Sequence, residues 1–164
     1  MSNKEDWRAI VASSLDWEQA HSSLENVLKG LPSELRGKRP NGFAHSVWEL
    51  LEHIRITQHD LLDFVQNPDY EEKLVWPKDY WPSAAAPSGD KAWNESIASW
   101  RKDRMALERF TTDTKQDLTA KIPRGTGQTY LRTILVAVDH ASYHLAQIVT
   151  VRQLLGAWPP PKGK

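Results

Sequence analysis

The chain has no cysteine among its 164 residues. Disulfides, thiolate metal sites and a cysteine nucleophile are therefore excluded, and any bound metal has to use imidazole, carboxylate or water. Excess charge of one sign is missing too. Lys plus Arg and Asp plus Glu both number 21, so no global field favours nucleic acid. No hydrophobic run approaches the length of a membrane span, and Met1-Ser2-Asn3-Lys4-Glu5-Asp6-Trp7 has no apolar signal core. The expectation is a soluble, cytoplasmic protein with neither a membrane nor a nucleic-acid partner. There is no Gly-x-Ser-x-Gly, no repeat at a fixed period, and Gly125-Thr126-Gly127 is too short and isolated for a phosphate loop. A chain of this length reads as one domain over residues 1–164, large enough to bury a core without staples.

What is abundant is tryptophan, with eight copies, several of them in or beside loops, where the ring more often lines a cleft or interface than fills a core. Hydrophobic spacing divides the chain into four helical stretches. The first runs from about Lys4 to Lys29, with Ile10, Trp17, Ala20, Leu24, Val27 and Leu28 apolar and Gly30 with Pro32 as the stop. The second covers about Ala44 to Gln66 and ends at Asn67-Pro68. The third runs from about Lys91 to Thr112, with Ser88 or Asp90 as cap and Trp93, Ile97, Trp100, Met105, Leu107 and Phe110 as apolar surface. The fourth spans about Gln128 to Leu155 and closes at Gly156 and Pro159-Pro160-Pro161. With no strand pattern, the expected fold is all-α, an antiparallel-type four-helix bundle. The connection from Pro68 to Asp90 is long for a compact domain, so it is expected to cross over between the second and third helices and to pack down through Trp76, Tyr80 and Trp81.

Three of the six histidines carry the functional reading. His140 and His144 are spaced i,i+4, one turn apart on one side of the fourth helix, so both rings can reach one cation. They share a strip with Thr133, Ala137, Ile148 and Val151, beside a main apolar face of Leu131, Ile134, Leu135, Val138, Leu145 and Val149. A helix apolar on two sides is central in its bundle. On the second helix His53 falls at the edge of the apolar stripe, a half-buried position facing a groove. If those helices pack side by side, the three rings form a metal site with an open position. Neutral imidazole suits Zn²⁺, Ni²⁺ and Fe²⁺. Glu49 and Asp60 are the candidate partners for the second nitrogen of His53; none is evident for the other two.

A His-x3-His pair also arises by chance on solvated faces, so three rings satisfied by hydrogen bonds alone remain the alternative. His21 reads as a core histidine beside Trp17 and Leu24, and His45 and His59 as surface residues. The run Arg101-Lys102-Asp103-Arg104 reads as a solvated face. Glu49-x3-His53 lacks the Glu-x-x-His spacing of di-iron bundles.

The stretch His45-Ser46-Val47-Trp48-Glu49-Leu50-Leu51-Glu52-His53-Ile54, followed by Asp139-His140-Ala141-Ser142-Tyr143-His144-Leu145-Ala146-Gln147-Ile148 and Arg152-Gln153-Leu154-Leu155-Gly156, resembles the DinB/YfiT-like superfamily. The resemblance implies an up-down-down-up four-helix bundle with a long crossover between helices two and three, often as a homodimer. It also implies a divalent ion, Zn²⁺ or Ni²⁺, held by His53, His140 and His144. Characterised relatives include thiol-dependent S-transferases and a thiol-dependent maleylpyruvate isomerase. The implied partner is thus a small-molecule substrate, with a low-molecular-weight thiol as co-substrate. The other reading is a non-catalytic stress-response or binding bundle in which the metal is structural.

Overall fold

The computed structural model describes residues 6–159. Among them the chain is all-α: two short helices, α1 (Trp7–Ser13) and α2 (Leu24–Leu28), precede three long ones, α3 (Val47–Gln66), α4 (Asp90–Thr112) and α5 (Tyr130–Leu154). Helix α3 packs most extensively against α5 and α4, while α1 lies on α4 and α2 on α5. The buried apolar side chains form two clusters. One joins Leu24, Val27, Leu50, Ile54, Trp93, Trp100 and Ile148; the other joins Leu15, Leu62, Leu107, Leu118 and Ile134.

The first helix expected from the sequence is broken. Its start at Lys4 lies outside the described residues, as do Pro160 and Pro161 of the closing run. From Ser14 to Asp16 the chain tightens into a 3-10 turn, and α2 restarts at Leu24. Short polar side chains compete with the helical ladder here. Asp16 accepts from the Leu24 N–H (3.3 Å), Glu18 accepts from the Ser23 N–H (3.2 Å) and hydroxyl (2.8 Å), and Ser23 caps α2 through Asn26. The break leaves Trp17 41% exposed and puts His21 at the surface rather than in the core.

The three long helices start and stop close to the expected positions. Ser46 and Glu49 form a reciprocal cap at the head of α3: the serine hydroxyl accepts from the Glu49 N–H (3.2 Å), and the carboxylate accepts from the Ser46 N–H (2.8 Å). The cap of α4 is Gly89, with no side-chain hydrogen bond, in place of Ser88 or Asp90. The buried stripe of α4 is Trp93, Ser96, Trp100, Asp103, Leu107 and Thr111, which leaves Met105 43% exposed and takes Asp103 out of the expected solvated face. Helix α5 ends in a Schellman motif: Gly156, at φ 69°, donates to Gln153 and Ala157 to Arg152.

Buried Arg152 holds that end in place. Its guanidinium donates to the carbonyls of Val27, Lys29 (3.0 Å) and Ala157 (3.1 and 2.8 Å), and lies over the Trp158 ring. By length and hydropathy alone α5 is long and apolar enough for a membrane span, contrary to the expectation that no run approaches that length; the core helix of a soluble protein passes the same test. The more deeply buried strip of α5 is the one with Thr133, Ala137, His144, Ile148 and Val151. The face expected to be dominant is partly open, with Leu135 46% exposed.

Candidate metal centre

Helices α3 and α5 bring His53, His140 and His144 together. One candidate ligand nitrogen from each ring lies within 4.8 Å of the other two. The Nε2 atoms of His53 and His140 are 3.0 Å apart. The ring centroids of His140 and His144 are 4.5 Å apart, as one helical turn dictates. His53 is 1% exposed, more deeply buried than the half-buried groove position expected from the helical wheel. The cause is Trp81, which lies flat on the imidazole at 3.9 Å with an interplanar angle of 3°.

Two of the three rings have a hydrogen-bond acceptor at Nδ1. His53 donates from Nδ1 to the Tyr80 carbonyl (2.8 Å), because a carbonyl can only accept. His144 Nδ1 faces the Gln147 amide oxygen (2.8 Å) and donates in the same way. Each therefore presents an unshared pair at Nε2, the form in which imidazole binds a cation. Among the described residues the set is all nitrogen, with no carboxylate in the cluster. Such donors fit Zn²⁺, Ni²⁺ or Fe²⁺ better than Ca²⁺ or Mg²⁺.

Neither carboxylate expected to orient His53 touches it. Glu49 is committed to the Ser46 cap and to Arg39 (2.8 Å at Nε). Asp60 accepts the hydroxyls of Tyr70 (3.0 Å) and Tyr80 (2.7 Å). Burial and the adjacent Asp60 raise the Tyr80 hydroxyl above its ordinary range, so it stays a donor.

Of the expected loop aromatics, Trp81 and Tyr80 reach the site. Trp76 lies at its margin, 66% exposed, with its ring 6.4 Å from that of His53. Tyr143, 63% exposed, packs edge-on to His144 at 4.9 Å. His45 is not a plain surface residue: it stacks on the other face of Trp81 at 3.9 Å, making an imidazole–indole–imidazole sandwich. His59 is exposed, as expected, and pairs with Asp103 (2.9 Å). The partnership of Gln147 was open to sequence reasoning, since i,i+3 neighbours meet on a helix. The Tyr80 carbonyl was not, because a backbone acceptor carries no residue signature.

Burial holds His53 down to about 4 and His140 down to about 3, from an ordinary 6.5. Below pH 6.5 the unfolded chain takes up protons that the folded one does not. The metal-free fold is thus expected to lose stability progressively as pH falls from 6.5 toward 3, and to gain nothing from these groups above 6.5. Thermal melts in chelator from neutrality down to about pH 5 check this; a midpoint that does not fall more steeply than in a His53→Gln, His140→Gln variant would refute it.

An all-α chain with three converging imidazoles, two of them with an acceptor at Nδ1, defines a class of proteins with a histidine-only candidate metal centre. A model of the DinB superfamily matches residues 16–148, a span that holds all three histidines together with Tyr80 and Gln147. The chain belongs to the DinB superfamily. No curated protein and no solved structure matches it.

Proposed function

We propose that the protein is a metal-dependent enzyme of the DinB superfamily. In this reading His53, His140 and His144 hold one Zn²⁺ or Ni²⁺, and the reaction is the transfer of a low-molecular-weight thiol to a small electrophile. The domain is then a four-helix bundle whose interrupted N-terminal segment stands for the first helix. The observation that carries the reading is the convergence of three imidazoles with Nε2 pairs presented by His53 and His144. A bound divalent ion supplies Lewis acidity and lowers the pKa of a water or thiol at its open position. The chain's own residues do the rest. Tyr80 and Gln147 orient two ligands, Trp81 shields His53 from water, and exposed Trp76 and Tyr143 offer apolar surface to a substrate at the margin.

One observation favours the other reading, a structural ion in a non-catalytic bundle. His53 is 1% exposed and His144 8%, and a groove of about 490 Å³ lined by Lys29, Arg36, Trp93 and Arg101 includes none of the three histidines.

Plasma mass spectrometry on untagged protein is the first test, with about one Zn or Ni per chain expected. The second is the visible spectrum of cobalt-loaded protein during titration with a small thiol. A thiol-dependent change supports the open position and the enzyme. A spectrum that ignores thiol while the ion raises the melting temperature supports the structural reading. Protein that takes up no ion, even after reconstitution, leaves three rings satisfied by hydrogen bonds and overturns both.

A further inference from the structure

We infer that Asp60 and the Tyr80 hydroxyl are positioning residues for the metal ligand His53, acting through the Tyr80 main chain. The inference rests on the metal reading above and extends it to the long connection between α3 and α4. The chain of contacts is continuous. The imidazole of His53 donates to the Tyr80 carbonyl at 2.8 Å, the Tyr80 hydroxyl donates to Asp60 Oδ2 at 2.7 Å, and Asp60 returns to α3 two turns beyond His53. One helix thus carries both the ligand and the anchor of the acceptor that orients the ligand. The part between them is a short 3-10 turn, Lys78–Tyr80, on a connection with no other regular structure.

A carbonyl orients imidazole only if its own main chain is held. Backbone bonds within the turn run from Asp79 to Val75 (2.9 Å) and from Tyr80 to Pro77 (3.3 Å), and the Val75 N–H donates to the Asp79 carboxylate (2.9 Å). Those bonds shape the turn without attaching it to α3. Attachment comes from the Tyr80 side chain, 8% exposed with its hydroxyl on Asp60, and from Trp81 lying on His53. The Tyr70 hydroxyl takes the other oxygen of Asp60 (3.0 Å) and leaves Oδ2 turned to Tyr80. The link runs both ways, because whatever fixes the turn favours the ligating orientation of His53, and a cation on His53 favours the docked turn by the same factor.

Tyr80→Phe is the direct test, since it removes the hydroxyl and keeps the ring and the carbonyl. Asp60→Asn keeps the shape of the acceptor, and Tyr70→Phe removes only the neighbouring bond. Zn²⁺ affinity is measured by competition with a chromophoric chelator, and the d–d spectrum of the cobalt-loaded protein is recorded. Tyr80→Phe and Asp60→Asn are expected to weaken Zn²⁺ binding about 10- to 100-fold, the range for loss of an outer-shell partner, and to alter the cobalt bands. Tyr70→Phe is expected to change affinity by less than about threefold, because the Tyr80 bond survives. Altered bands in Tyr80→Phe at an unchanged melting temperature of the metal-free protein separate positioning from general stability. Wild-type affinity and bands in both Tyr80→Phe and Asp60→Asn, with metal lost in His144→Ala, would overturn the inference and leave the metal reading intact. Should Asp60→Asn fail to fold, Tyr80→Phe decides alone. No metal on the wild-type protein overturns the reading and this inference with it.

Discussion

Replacing His53 with alanine is expected to abolish stoichiometric metal, while replacing His45 with alanine leaves it in place. The two rings make a matched pair, for each stacks on Trp81 at 3.9 Å, on opposite faces of the same indole. Both substitutions remove one layer of the sandwich, and only one removes a nitrogen from the three-histidine cluster. Loss of an outer-shell partner of a metal ligand weakens affinity about 10- to 100-fold, so loss of the ligand itself is expected to exceed about 100-fold. His45→Ala is expected to stay within about tenfold, since it loosens Trp81 and leaves the Tyr80 carbonyl on His53. Metal analysis after dialysis against a weak chelator separates the two outcomes. Wild-type metal content in His53→Ala would remove His53 from the ligand set.

The second large effect is on stability. Arg152→Ala is expected to cost about 3–5 kcal/mol, because it removes four hydrogen bonds made by a charged donor and leaves the buried Val27 carbonyl without a partner. The guanidinium is fully buried, its hydrogen-bond partners among the described residues are all carbonyls, and burial lowers its pKa. It serves the carbonyls of Val27 and Lys29 at the end of α2 and that of Ala157 beyond α5. At a few degrees per kcal/mol for a chain of this size, the melting temperature is expected to fall by about 10 °C or more. Arg152→Lys is expected to recover little of the loss, since an ammonium has no planar fork to span both sites. A loss below about 1 kcal/mol in Arg152→Ala would show that these carbonyls find other donors.

The long helices were legible because their ends carry local chemistry. Asn67-Pro68 and Gly156 mark boundaries that the fold uses, whereas the Ser46–Glu49 cap starts α3 at Val47, three residues later than the apolar pattern placed it. The N-terminal segment was misread because its apolar spacing continues through Asp16, Glu18 and Ser23, whose side chains bind the backbone and end the helix. On α5, periodicity found both strips but ranked the larger apolar side chains first. Burial followed the strip with the small residues Thr133 and Ala137, which allow close approach. The histidine cluster could be read from i,i+4 spacing and a stripe edge. Its supports could be read only in part, since Gln147 sits at a helical interval from His144 whereas Tyr80 acts through its main chain and His45 through an indole from elsewhere.

The capping serine of α3 has one more bond, from its hydroxyl to the Ala85 carbonyl (2.6 Å). A Cβ on Gly37 would collide with Ala86, so the far end of the long connection is seated against the loop before α3. Its near end is held by Tyr70 on Asp60 and its middle by Tyr80. A segment tied at three points does not swing as a flap. What stays open to solvent beside the histidine cluster is a pair of side chains, Trp76 and Tyr143, whose exposed rings are free to change rotamer in picoseconds to nanoseconds while the backbone under them is held.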